Sequence, residues 1–427
     1  MPTSALPATA SLQQTATAGM RGVHWDETRM DRPYRMVPYQ LKTADGQRTT
    51  GFLYTQSGNE KGVVCIMHPR ELGVTHYLVP DILDAGYACW LQGSRSVGND
   101  LRLEHEVALF DVAAGMQHLV DHGFSTVHLL GNSGGAALYG LYTQQAIRAP
   151  GERILQTPAG RPTRLETLNM PVPNGLVFLS PHPGPGPLLL AGIDPSVIDE
   201  SNPFSTDPEL DPFSPINGYD PTQKQARYDS RFVARYRAAQ DLRVARIDAQ
   251  ARTLLERKMQ ARRALKNAGL TLAEQQLLQA QAAFAPIFQV WRTDADLRSW
   301  DTTLDPSDRK VGSLWGNDPF VSNYGSVAFG RVVTPESWLS SWSALSSNAR
   351  FDKFGAELDL PTLFVEYSGD QAVFPSDLDR LYASIGSTRK QRVRVRGNHH
   401  GHSLSADEPS GQVLAGQAIG QWLKEQK

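Results

Sequence analysis

The chain has 427 residues, enough for two average domains or for one enlarged α/β domain carrying an insertion. Lysine and arginine number 42 against 44 aspartate and glutamate, a net charge of −2 without a long basic run. That balance argues against nucleic acid or an anionic membrane surface as partner and leaves a small molecule as the expected one.

Residues 1–33 read as an N-terminal tail: the first twenty (MPTSALPATASLQQTATAGM) carry no Lys or Arg and no continuous apolar core. They lack the charged start and apolar stretch of a secretory signal, and no run elsewhere approaches the roughly 18 apolar residues of a membrane helix. A cytoplasmic protein without a membrane span is expected.

From Tyr34 onward short strand-like runs alternate with helical stretches. Strands are predicted at 36–41, 50–54, 62–67, 88–92, 127–130, 176–179, 362–367 and 391–395. Runs such as VVCIM and TLFVEY are almost wholly apolar, as strands covered on both faces by helices require. Cys65 and Cys89 lie inside two such runs and read as reduced, buried thiols. Between the fourth and fifth strands, 102–122 places Val107, Phe110, Val112, Met116 and Leu119 at helical spacing, which makes a βαβ pattern with a mostly parallel sheet.

The alternation covers 34–180, breaks at PHPGPGP (181–187) and resumes over 360–427, so 181–359 reads as an insertion. Residues 194–220 are rich in Pro, Asp and Ser and read as loop. Over 223–293, Phe232, Tyr236, Ala239, Ile247, Ala251 and Leu254 recur every three or four residues in places, predicting long amphipathic helices with a break near 267–271 and Thr271 as a cap. Their charged side reads as solvated, and the apolar stripe offers a homodimer contact as a second reading. The last third of the insertion holds Trp291, Trp300, Trp315, Tyr324, Trp338 and Trp342, the core of a small lid or the lining of an aromatic pocket.

One turn points to chemistry. In VHLLGNSGGAALYGLY (127–142) a strand runs into Gly131, Asn132, Ser133, Gly134 and Gly135, and a small-residue helix follows. Glycines on both sides let strand and helix close on a serine in a strained conformation, with its hydroxyl near the helix N-terminus and the N–H of Gly134 facing a developing oxyanion. Serine needs a base, the base an orienting acid, and the oxyanion a second donor. Strand 62–67 is followed by His68, Pro69 and Arg70, and since proline has no N–H the donor from that loop is expected at Arg70. Strand 362–367 is followed by SGDQAVFP with Asp370, and strand 391–395 by RGNHHGH with His399, His400 and His402. Sites on open parallel sheets form at these carboxyl ends.

HPR, GNSGG, SGDQAVFP and RGNHH at those four strand ends resemble a serine hydrolase of the α/β-hydrolase fold, esterase- or lipase-like. The resemblance implies an eight-stranded, mostly parallel sheet with helices on both faces and a large helical lid inserted after the sixth strand. It implies a triad of Ser133, Asp370 and His400, the last from the usual Gly-x-x-His count, with His399 and then His402 as alternatives and Asp377 as an alternative acid. Gly134 and Arg70 would form the oxyanion hole.

The chain departs from the pattern where the family often has His-Gly in place of His68-Pro69, and where Gln371 stands four residues before Pro375 in the usual place of the acid. Arg95 resembles an arginine that braces neighbouring loops. NHHGH without a second ligand cluster argues against a metal, and the implied reaction needs no cofactor. The expected activity is cleavage of a carboxylic ester through an acyl-enzyme, on a bulky or apolar substrate entering under the lid. Thioester, amide and carbon–carbon hydrolysis on the same residues are the enzymatic alternatives, and a non-catalytic binding protein of the same fold is the other.

Overall fold

A computed structural model of the chain describes residues 29–426 apart from 31, 99, 326 and 327. The expected N-terminal tail therefore lies, up to residue 28, outside the described residues. Eight strands make one sheet: β1 (Arg35–Lys42), β2 (Arg48–Thr55), β3 (Gly62–Met67), β4 (Ala88–Gln92), β5 (Thr126–Asn132), β6 (Gly175–Leu179), β7 (Thr362–Tyr367) and β8 (Lys390–Val395). Their order is β1-β2-β4-β3-β5-β6-β7-β8. Strand β2 runs antiparallel to both neighbours, and β4 through β8 are parallel to one another. Every strand predicted from an apolar run falls within one of these eight. Strands β3, β4, β6 and β7 are buried along their whole length, as two-sided helical cover demands.

Helix α1 (Val79–Asp84) follows β3, α2 (His105–Asp121) follows β4 and α3 (Gly134–Ile147) follows β5; α4 (Pro185–Gly192), α5 (Ser230–Ala264) and α6 (Leu272–Ala283) lie between β6 and β7; α7 (Pro375–Ser384) follows β7 and α8 (Gly411–Glu425) follows β8. One face of the sheet packs on α1 and α8 through Ile82, Leu83, Ile419 and Trp422. The other packs on α2, α3 and α7 through Leu109, Met116, Leu138, Leu141 and Leu378. Cys65 and Cys89 stay free and buried. Cys65 stands opposite Trp90 and Val64 opposite Cys89, so the one-residue offset turns the two thiols to opposite faces of the sheet.

Between β6 and β7 the chain leaves the sheet and builds two further apolar clusters, one of which also takes in Leu103 from the segment before α2. Helix α5 starts later than the periodicity predicts because Asp229 caps it, accepting from the N–H of Arg231 and Phe232 at 2.8 and 2.9 Å. Thr271 caps α6 in a reciprocal box with Glu274. Residues 223–229 and 284–293, expected as helix, hold short ribbon strands instead, Gln225–Ala226 paired with Tyr219–Asp220 and Phe288–Gln289 with Val332–Val333. The α5 stripe is spent inside the chain: Phe232 and Tyr236 pack with Trp300, and Ile247 and Ala251 with Trp338 and Trp342. Those tryptophans are thus core, and these four stripe residues face the chain's own interior.

Candidate active site

Ser133 ends β5 and caps α3 with φ 52° and ψ −115°, a backbone region an L-residue adopts only when its surroundings hold it there. Its N–H donates to Leu179 O on β6 at 2.9 Å and its carbonyl accepts from Ala136 N–H at 3.1 Å. Glycine is required on both sides. A Cβ at Gly131 would lie 2.5 Å from Ala136 Cα, and one at Gly135 would lie 2.4 Å from Met67 O, in each case against backbone that cannot swing aside. The crowding that the turn's composition implied is this closure of helix on strand.

Asp370 comes from the loop after β7 and is buried. Its Oδ1 accepts from the N–H of Ala372 and Val373 at 2.7 and 3.1 Å, fixing the carboxylate in its own turn. The imidazole of His399, from the loop after β8, donates through Nδ1 to both carboxylate oxygens at 2.9 Å. Its Nε2 accepts from Ser133 Oγ at 3.1 Å. Burial alone would raise the Asp370 pKa, but the charge and hydrogen bond of His399, with Ser180 and the Ala372 N–H, hold it below 3.8. Burial likewise opposes charge on His399, and the Asp370 charge and hydrogen bond, helped by Glu71, outweigh it and raise the imidazole above 6.5.

The ring brought to Ser133 and Asp370 is thus that of His399 and not that of His400, which the Gly-x-x-His count favours. The Asn398 carbonyl oxygen Oδ1 accepts from His400 N–H at 3.0 Å and from His402 N–H at 2.9 Å, and Gly401 N–H donates to Asn398 O at 2.8 Å with φ 74°. The tight turn so formed presents residue 399 to the sheet edge. The His400 ring sits edge-on beside that of His399, centroids 5.2 Å apart, while His402 is exposed. A Gly-x-x-His count fixes a distance along the chain and says nothing of direction.

Arg70 is also not where it was expected to act. Its N–H donates to His68 Nδ1 at 3.2 Å, so that hydrogen is spent on the ring. The guanidinium pairs with Asp100 at 2.5 and 3.0 Å and lies 5.4 and 5.3 Å from the ring centroids of Phe329 and Trp342, tying this loop to the insertion. Gly134 begins α3, whose first-turn N–H groups have no intrahelical acceptor. Asp377 is held by Arg298 and Arg380, and Arg95 bridges Asp111 and Asp45, so both serve structure.

A strand order of 1-2-4-3-5-6-7-8, the serine turn after the fifth strand, the carboxylate after the seventh and the histidine after the eighth decide the architecture. It is the α/β-hydrolase fold. No family model matches the chain, and no curated protein does. Solved structures similar to it include DcsB in complex with its substrate analogue, at 11% identity over 92% of this chain and 100% of that one, TM-score 0.46. The α/β hydrolase GrgF from Penicillium sp. sh18 is similar at 10% identity over 92% and 98%, TM-score 0.46. Carboxyl esterase 2 from the mycorrhizal fungus Tuber melanosporum is similar at 14% over 98% and 93%, TM-score 0.41. At such identities and scores the likeness carries no argument about mechanism or substrate.

Ser180 and His182 also stand at this site without having been expected there, and His68 was expected only as part of the loop that carries Arg70. Ser180, the residue after β6, has φ 47° and turns its hydroxyl to Asp370 Oδ2, with His399 Nδ1 3.2 Å away. His182 lies two residues further on, and His68 follows β3; both rings reach Gly134. The available signal was a repeat: His-Pro occurs directly after β3 and again, two residues later, after β6. Those two strands flank β5 on either side.

Proposed function

We propose that this chain is a serine hydrolase that cleaves a carboxylic ester through an acyl-enzyme, with Ser133 as nucleophile, His399 as base and Asp370 as the orienting acid. The observation that carries this reading is the contact chain Ser133 Oγ to His399 Nε2 to Asp370, assembled from three separate strand ends. His399 takes the serine proton as Oγ attacks the carbonyl carbon, and Asp370 stabilises the imidazolium that results. The tetrahedral intermediate puts its charge on the former carbonyl oxygen, beside the N–H of Gly134 at the start of α3. Collapse breaks the bond to the alcohol, which leaves with the proton held on His399 Nε2. Water then enters and its oxygen attacks the acyl carbon while His399 Nε2 takes its proton; the second tetrahedral intermediate collapses by breaking the bond to Ser133 Oγ, which recovers that proton from Nε2 as the acid leaves.

A fluorophosphonate probe tests the assignment on wild type and on Ser133→Ala, His399→Ala and His400→Ala. Labelling of wild type at Ser133, its loss in the first two variants and its persistence within about threefold in the third are expected, because only the first two remove a member of the contact chain. Labelling lost in His400→Ala and kept in His399→Ala would reverse the choice of base.

A further inference from the structure

On either side of the nucleophile strand the chain makes the same device. After β3 comes His68-Pro69-Arg70, and after β6 comes His182-Pro183-Gly184. In each, proline lacks an N–H and the next residue donates its own to the histidine: Arg70 N–H to His68 Nδ1 at 3.2 Å, Gly184 N–H to His182 Nδ1 at 3.1 Å. A neutral imidazole whose Nδ1 accepts must carry its hydrogen on Nε2. Burial keeps both rings neutral, lowering His68 below 6.5 and His182 to about 3, with nearby His399 adding to the effect in each. Both loops therefore present an Nε2–H.

The two donors converge on one place. A Cβ built on Gly134 would lie 2.6 Å from His68 Nε2 and 3.2 Å from His182 Nε2, so the rings occupy the space that a side chain after the nucleophile would fill. Glycine at 134 is what admits them. The N–H of this same residue is the donor that the serine turn offers to an oxyanion, whereas the N–H of Arg70, the usual second donor, is already bonded.

We propose that His68 and His182 donate their Nε2–H groups to the oxyanion of the tetrahedral intermediate, forming with the Gly134 N–H an oxyanion site in which side chains replace the second backbone donor. This rests on the serine-hydrolase reading above. No proton is transferred: both rings stay neutral donors while His399 alone gains and loses the serine proton. Their neutrality also spares His399 the repulsion of a charged neighbour at the moment it becomes charged.

The test uses p-nitrophenyl acetate turnover and the rate of fluorophosphonate labelling, with a trifluoromethyl ketone as analogue of the tetrahedral state. Phenylalanine keeps ring packing without a donor, and glutamine places an amide N–H near the original Nε2. His68→Phe and His182→Phe should each lower kcat by roughly 10²-fold with KM within about threefold, since an oxyanion donor acts in the transition state. Affinity for the trifluoromethyl ketone should fall by the same factor as kcat/KM. His68→Gln and His182→Gln should recover at least about tenfold of the loss. Phenylalanine variants that retain kcat, or glutamine variants no better than phenylalanine with an unchanged melting temperature, would overturn the inference and leave Ser133 chemistry standing. A folded wild type that is neither labelled nor active would overturn the serine-hydrolase reading and this inference with it.

Discussion

In the proposed reaction His399 must be neutral to act, yet it is most stabilised when charged, so activity and stability should respond to pH in opposite directions. Burial lowers its pKa, but Asp370 outweighs burial and holds the group above 6.5. A base works only when unprotonated, so kcat/KM should fall as pH drops through that raised value. Replacing Asp370 with Asn removes the raising influence and leaves burial: the acidic limb should move to lower pH while the plateau falls by roughly 10⁴-fold, as for other triads that lose the acid. For stability, the His399 contribution is fully present below its unfolded value near 6.5 and is lost as pH rises through the raised folded value. The Asp370 contribution is present above 3.8 and is lost as pH falls through its lowered folded value. The melting temperature of wild type minus that of Asp370→Asn, measured across pH, should therefore be largest between those limits. An acidic limb that stays in place in the variant would assign it to another group.

At the scale of elements, α5 is locked to the Trp338–Trp342 turn by a single carboxylate. Asp248 accepts from Trp338 Nε1–H at 2.7 Å and from the Ser343 hydroxyl at 2.9 Å, and all three side chains are buried. Asp248→Ala leaves two donors without an acceptor, each costing about 1–3 kcal/mol, so a loss of roughly 2–6 kcal/mol is expected in urea unfolding. Asp248→Asn, which keeps one acceptor oxygen, should lose less. A loss below about 1 kcal/mol in the alanine variant would mean that water replaces the carboxylate. These links between elements were the part the sequence hid. The strands were readable because two-sided burial writes them as apolar runs between turn residues, and the start of α6 because Thr271 closes the break at 267–271 as a capping residue. Asp229 is a capping residue of the same kind at the start of α5, whereas the helical periodicity runs on upstream into residues that pair as ribbon. Ser133 and Asp370 stand at strand ends, whose direction the apolar runs already fix. Which of His399 and His400 meets them is decided by a turn built by Asn398, and no count along the chain contains that rotation.

Across the whole molecule, the insertion is fastened to the sheet domain at several points while its far end carries nothing. Asn348 donates to Glu106 of α2 at 2.8 Å, Arg298 to Asp377 of α7 at 2.8 Å, and Ser376 of α7 to Asp305 at 2.7 Å. Phe351 and Phe354, where the insertion returns, belong to the same apolar cluster as α2 and α3. By contrast α6 has no buried residue, and Leu272, Leu277 and Phe284 are exposed. Arg262 and Arg263 in the last turn of α5, and Lys266 in the connection into α6, are exposed to solvent. Exposed backbone at such a tip is where proteases cut first, because few contacts oppose the local opening that cleavage needs. Trypsin should therefore nick the folded protein first among Arg262, Arg263 and Lys266. The side chains around Ser133 come from the loops after β3, β6, β7 and β8, and none from this tip, so the nicked protein should keep its labelling by fluorophosphonate within about twofold. Labelling that declines in step with the nick would show that the tip holds the insertion over the serine, and the fastening would then have to run through α5 as well as through α2 and α7.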